Sequence, residues 1–305
     1  MKIVLKEHNG LGNQLFEYAA LRYYAKRYGA DMHIAVDPEW NAQSYGHPRP
    51  CLLQHFSIPA PMKERTLSVR IISSGKPWVT AASAPLRKAF GIQVYKEQKA
   101  DEYRFPRDLP LKPRVKTLYL LGYFENNEMV EEVAEDLRRD LTFRRPPEGK
   151  TLEVMEQIRR CKTPVSLHVR RGDATLPVEG KVVLQTEYYG SAIALIKEQF
   201  IDPTFFVFSD DIPYVKENLS LDPQTVFVDH NDTFTAHEDL RLMSNCHHHI
   251  IANSTFSWWG AWLNPRSNKI VIAPRRWYLR KDNYYPNLFP RDWILHDVVL
   301  AKQFA

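Results

Sequence analysis

The sequence predicts an α/β protein built on parallel sheets, and three observations carry that prediction. In the second half, short apolar runs alternate with helical patterns, which argues for a parallel sheet covered on both faces. The chain opens on a strand, a glycine-bearing turn, a helix and a second strand. Its 305 residues, 44% hydrophobic and 25% charged, suffice for two domains of ordinary size or one large one.

Taken in order, residues 2–6 read as a short buried strand and His8-Asn9-Gly10-Leu11-Gly12 as a polar turn. From Asn13 to Tyr28 apolar residues fall at helical spacing, with Gly29 as the natural stop, and Met32–Val36 reads as a strand. Residues 38–115, rich in proline with scattered aromatics, do not resolve into elements. Leu118–Tyr123 predicts a strand, Glu128–Leu141 a charged amphipathic helix, and Arg145-Pro146-Pro147-Glu148-Gly149 a linker. Further strands are predicted at Val165–Val169, Phe205–Phe208, Val226–Val228, His249–Ala252 and Ile270–Ala273. Helices are predicted between them at Glu187–Phe200, Tyr214–Leu219, His237–Cys246 and Thr255–Leu263. Ligands of such sheets sit at the carboxyl ends of strands, so those ends are where chemistry is sought.

Composition narrows the ligand. The formal net charge of +5, with no run of five basic residues, suits an anionic small molecule at least as well as nucleic acid. Arg144-Arg145 and Arg275-Arg276 are the densest basic spots. Cys51, Cys161 and Cys246 are odd in number and lack a CxxC spacing, which suggests a reducing compartment rather than a zinc site or a disulfide framework. The opening residues lack the long apolar stretch of a signal peptide or anchor. The expectation is a cytoplasmic protein without a transmembrane segment, with room for peripheral contact at the inner face of a membrane.

Three strand ends carry candidate chemistry. The first is His168-Val169-Arg170-Arg171-Gly172-Asp173, where His168 and Arg170 share one face of the strand. Arg170 can pair its guanidinium with phosphate oxygens, or Arg-Arg-x-Asp can be a structural ion pair at a sheet edge. The second is Ser209-Asp210-Asp211, whose carboxylates could accept the ring protons of a guanine or cap the following helix. A metal there would need more oxygen ligands than the neighbouring sequence supplies. The third is Asn253-Ser254-Thr255-Phe256-Ser257, where hydroxyls and free N–H groups at a helix N-terminus suit a pyrophosphate. Capping by Ser254 or Thr255, with Trp258 and Trp259 in the core, is compatible with that role.

Two other motifs are set aside. Gly10-Leu11-Gly12-Asn13-Gln14-Leu15 begins like a dinucleotide fingerprint but has Leu15 where the third glycine belongs. His247-His248-His249 enters a strand, where alternate side chains point to opposite faces, and reads as structural rather than metal-binding.

These segments resemble the α1,2-fucosyltransferases of glycosyltransferase family 11. The resemblance rests on Gly10-Leu11-Gly12-Asn13-Gln14-Leu15-Phe16, on His168 to Asp173, on Asp239-Leu240-x-Leu242-Met243-Ser244-x-Cys246, and on Ile251 to Leu263. It spans nearly the whole chain, but residues 38–115 share little of it and are where acceptor specificity is expected. The resemblance implies a GT-B-type fold, two Rossmann-like domains facing across a cleft. The first would cover residues 1–147 on the acceptor side. The second would cover 148–305 with the donor, and the last helix would pack back on the first domain.

It further implies GDP-β-L-fucose as donor, inversion at the anomeric carbon, and no required cofactor or metal. By the same resemblance Gly10, Gly12, Asn13 and Gln14 approach the pyrophosphate and fucose, and His168 and Arg170 contact the donor. Asp210 or Asp211 holds guanine, and Asn253, Ser254, Thr255, Phe256 and Ser257 cradle the phosphates and nucleoside. The acceptor is expected to be a galactose-terminated oligosaccharide or lipid-linked glycan, as in O-antigen synthesis. Arg170 would stabilise charge on the departing GDP. Asp173 or Glu179 would serve as base toward the acceptor hydroxyl, although an oxocarbenium-like path needs no strong base. Two competing expectations are a GDP-sugar transferase of different linkage or donor (α1,6-fucosyl, or a GDP-mannose user) and a non-catalytic glycan-binding protein on the same fold.

Overall fold

The computed structural model describes residues 1–7, 9–36, 49–64, 81–98, 105–171, 182–278 and 287–298. The chain divides into two compact units, Met1–Arg144 with Pro286–Phe289, and Arg145–Tyr285 with Pro290–Ala305.

The first unit opens on β1 (Lys2–Lys6), buried from Ile3 onward, and α1 (Leu11–Tyr28). Gly29 ends α1 in the left-handed region (φ 56°), which glycine enters without a Cβ penalty, and the Ala30 N–H closes the turn on the Ala25 carbonyl. There follow β2 (Asp31–Val36), β3 (Met62–Glu64), α2 (Ala84–Ala89), β4 (Ile92–Lys96), β5 (Thr117–Leu121), α3 (Asn127–Glu132) and α4 (Ala134–Asp140). The single helix expected over Glu128–Leu141 is thus two, broken at Val133 (φ −125°, ψ 22°). Met129, Val130, Val133 and Leu137 are all buried, and the buried Asp140 accepts the Tyr18 hydroxyl of α1 at 2.6 Å. Tertiary packing against α1 thereby overrides the local helical pattern. All five strands are parallel in the order β3-β2-β1-β5-β4. The direction of winding reverses between β1 and β5.

The second unit contains α5 (Gly149–Arg160), β6 (Pro164–Val169), α6 (Thr186–Gln199), β7 (Thr204–Ser209), α7 (Ile212–Asn218) and β8 (Val226–Val228). It continues with α8 (Ala236–Asn245), β9 (His248–Ile250), α9 (Thr255–Leu263), β10 (Val271–Pro274) and β11 (Ile294–His296). Its six strands are parallel in the order β11-β10-β9-β6-β7-β8, reversing between β6 and β9. The strand read at His249–Ala252 begins one residue earlier and ends at Ile250, because its register with β6 stops at the Leu167–Ile250 pair. Among the described residues no helix follows Leu263.

Both faces of this second sheet are covered, which is why its strands are near-continuous apolar runs. Val165, Leu167, Val169, Phe205 and Val207 pack with Tyr188, Ala192, Ile193 and Ile196 of α6. Phe206 and Phe208 point the other way, onto Met155 and Ile158 of α5 and Leu242 and Met243 of α8. Burying each such large side chain contributes about 1.5–3 kcal/mol. Close contact of α8 with α9 depends on Gly260, where an added Cβ would stand 2.9 Å from the Met243 Cβ. Among the described residues, no helix is long and apolar enough to cross a membrane.

Candidate active site

In an open parallel sheet, strands that wind away from each other leave a crevice at their carboxyl ends. In the second unit the strands flanking that crevice are β6 and β9, and the residues leaving them are His168–Arg171 and Ile251–Ser257. The sheet therefore brings two of the three sequence-predicted clusters to one edge, and β7, next to β6, adds Asp210 and Asp211.

His168 is buried at the end of β6, its ring centroid 5.8 Å from that of Phe256 in an edge-on arrangement. Burial, with the adjacent Arg170 charge, pushes its pKa down to about 3, so the imidazole is neutral at physiological pH. Among the described residues its buried Nδ1 has no hydrogen-bond partner, a costly arrangement that a ligand polar group would relieve. Arg170 follows, half-buried, as a permanent cation beside that neutral ring. Arg171 turns elsewhere: its guanidinium lies 3.8 Å over the Tyr214 ring, and its backbone N–H donates to Asp210 Oδ1 at 2.7 Å. Asp210 thus ties β7 to β6, while Asp211 is the N-cap of α7 and accepts from the Tyr214 N–H at 3.0 Å. Of the two acidic side chains proposed to hold guanine, Asp211 is committed to capping and Asp210 is exposed at the edge.

Across the crevice, Ser254 occupies the N-cap position of α9 but makes no side-chain capping bond. Thr255 and Phe256 open α9 behind it, at a helix N-terminus whose partial positive charge favours anions. Ser257 donates back to the Ser254 carbonyl at 3.2 Å, and the Asn253 amide donates to the carbonyls of Val182 (2.8 Å) and Trp277 (3.1 Å). Asn253 therefore pins the surrounding loops, and the anion-binding capacity of this turn rests on Ser254, Thr255 and Phe256. Trp258 and Trp259 are fully buried at a centroid distance of 5.0 Å and belong to the core.

The carboxyl edge of the first sheet holds Gly10, Gly12, Asn13 and Gln14. Gly10 is the N-cap of α1, in extended geometry, and Asn13 stands half-buried in the first turn. The Gln14 carboxamide is fully buried and spent within the chain: Nε2 donates to the Asn9 (2.8 Å) and Pro50 (2.9 Å) carbonyls, and Oε1 accepts from the Leu52 N–H (3.0 Å). Gln14 is thus a brace for the turn. Two residues here escaped sequence reading. Asn9 takes a left-handed backbone (φ 66°), and the Arg49 guanidinium lies 3.5 Å from where a Gly10 Cβ would stand.

Asp173 and Glu179, named as candidate bases, lie outside the described residues. The histidine run is structural. Asn264 Nδ2 donates to His249 Nε2 at 2.8 Å, which leaves Nδ1–H to meet Ser166 Oγ at 2.8 Å, and burial keeps this ring neutral. His248 Nδ1 accepts the Ile270 N–H at 3.0 Å. Among the described residues no group of three or more His, Cys, Asp or Glu is arranged to hold a metal. Sequence reading gave no role to Asp239, in the first turn of α8. Burial raises its pKa to about 7, against the bond that Asn231 Nδ2 donates to it at 2.6 Å. Its signal was chemical only after folding, since nothing local marks a carboxyl as buried.

Comparison with known proteins adds to this geometry. The family model for glycosyl transferase family 11 matches residues 3–295. An Escherichia coli α1,2-colitosyltransferase is 39% identical over 57% of this chain and 61% of its own length. The O-antigen biosynthesis glycosyltransferase WbnK of Escherichia coli is 30% identical over 88% of this chain and 92% of its own length. Human galactoside α-(1,2)-fucosyltransferase 1 is 29% identical over 54% of this chain, which spans 46% of that enzyme. Among solved structures, the NodZ α1,6-fucosyltransferase crystallised with GDP superposes with a TM-score of 0.54, at 17% identity, over 89% of this chain and 94% of its own. That likeness, with two parallel α/β sheets, gives the GT-B type of fold.

Proposed function

The chain belongs to glycosyl transferase family 11 and is a glycosyltransferase, and on that premise we propose that it transfers L-fucose from GDP-β-L-fucose to the 2-hydroxyl of a terminal galactoside. The observation that supports this most is the edge of the second sheet, where a neutral buried imidazole, a permanent cation and the N-terminus of α9 stand at the ends of the two strands that flank the crevice. Departure of GDP builds negative charge on the diphosphate, and Arg170 with the α9 amides stabilises it without a metal, a preorganised effect worth several kcal/mol. His168, neutral and with an unmet Nδ1, orients the donor rather than adding charge. The reaction inverts at the anomeric carbon, with Asp173 or Glu179 as base. A galactose-terminated or lipid-linked glycan is the acceptor, taken on the side of the first unit, and synthesis proceeds on the cytoplasmic side of the membrane.

A second reading keeps the α1,2 linkage and changes the donor to a colitosyl nucleotide, because a relative 39% identical is named for that transfer. One assay separates them. The full chain, with chelator present, is offered GDP-fucose or GDP-colitose and a β-galactoside, and the product linkage is read by NMR. The proposal expects GDP release and a 1→2 fucosyl linkage. Inactivity with GDP-fucose across a broad galactoside panel, or a 1→6 product, overturns it.

A further inference from the structure

We infer that the amino edge of the first sheet is a docking surface for an anionic lipid membrane, with Leu86 and Phe90 entering the apolar boundary and a ring of cations meeting the headgroups. Helix α2 buries none of its residues. Six residues without a buried face gain little from helix formation in water, because stability of short helices comes from covering an apolar side. Leu86 and Phe90 are 63% and 65% exposed, and the Phe90 N–H donates to the Leu86 carbonyl at 3.0 Å, which sets them one turn apart.

The chain then reverses against a second segment. Gly91 has φ 65°, a Cβ there would lie 2.8 Å from the Arg114 carbonyl and 3.2 Å from Lys116 Cγ, and the Lys116 N–H donates to the Gly91 carbonyl at 2.8 Å. The Lys112–Lys116 turn is thereby fixed beside Phe90. Lys88, Lys112, Arg114 and Lys116 are exposed, and among the described residues none of them forms an ion pair. At the amino ends of β4 and β5, residues 84–92 and 111–117 together contain Arg87, Lys88, Lys112, Arg114 and Lys116 and no Asp or Glu. Exposed cations are drawn to the negative surface potential of an anionic bilayer. Exposed apolar residues among them favour a lipid boundary over a purely polyanionic partner such as nucleic acid.

Position agrees with this role. β4 starts at Ile92 and β5 at Thr117, so the patch stands at the amino edge of the sheet, opposite the Gly10 turn. Docking would leave the carboxyl edge open. Surface chemistry alone carries this role, independently of the donor and linkage proposed above.

The test is co-sedimentation of the full chain with vesicles of phosphatidylglycerol and phosphatidylethanolamine, against vesicles of phosphatidylcholine. Wild type is expected to pellet with the anionic vesicles and to remain in solution with the neutral ones. Lys88→Glu with Lys112→Glu, and separately Leu86→Ser with Phe90→Ser, should each weaken binding about tenfold or more. Circular dichroism and transfer to a soluble galactoside should be unchanged. Lost transfer in wild type would count against the proposed reaction and not against docking. Failure of wild type to pellet, equal binding to neutral vesicles, or wild-type binding by the Leu86→Ser and Phe90→Ser chain would overturn the inference.

Discussion

At the carboxyl edge of the first sheet, Gln14 spends both ends of its carboxamide on Asn9, Pro50 and Leu52, and Gly10 caps α1 without a side chain. At the corresponding edge of the second sheet, His168 keeps a buried Nδ1 unmet, Arg170 brings a permanent charge and α9 begins without a side-chain cap. Both crevices arise from the same reversal of winding in a parallel sheet. Topology therefore makes the place, and side chains decide its use: the first crevice is braced from within, and the second sets a buried neutral imidazole and a permanent cation beside a helix N-terminus.

Substitutions can break or sharpen that contrast. The largest effect is expected from Arg170→Ala, which should lower turnover by about a hundredfold or more while circular dichroism stays unchanged, since one preorganised charge is lost from the transition state. Full activity in that variant would erase the distinction between the two edges. Gln14→Ala should act on the fold, costing about 1–3 kcal/mol in thermal or urea denaturation because buried backbone groups lose their partner. Gly260→Ala should cost a similar 1–3 kcal/mol through overpacking of α8 on α9, read in the same way. A pH-dependent effect, small near neutral pH, follows from His168. Its folded pKa, about 3, lies below the ordinary value of 6.5, so its contribution to stability is complete above pH 6.5 and is lost as pH falls toward 3. The slope is at most about 1.4 kcal/mol per pH unit for one proton, and His168→Gln should flatten it in a pH series of denaturation midpoints.

Much of this was legible in the residues. β6 to β10 and their helices were readable because apolar runs of strand length alternate with helical periodicity, and the strand ends pointed to His168, Arg170 and the Ser254–Phe256 turn. Other features depend on tertiary context. The break at Val133 comes from packing on α1, and the capping role of Asp211 is visible only once α7 is in place. Gln14 sits in a motif suggestive of ligand contact, yet its partners at Pro50 and Leu52 lie more than 30 residues away in sequence. No local pattern encodes such a brace. The elevated pKa of Asp239 is likewise a product of burial.

The most direct test of the contrast between the edges is calorimetric titration of GDP into wild type, Arg170→Ala and Gln14→Asn. The account predicts micromolar binding to wild type, roughly −8 kcal/mol, a loss of about a hundredfold in Arg170→Ala, and near-wild-type affinity in Gln14→Asn as long as it is folded. Undiminished GDP affinity in Arg170→Ala would contradict the placement of the donor diphosphate at the edge of the second sheet.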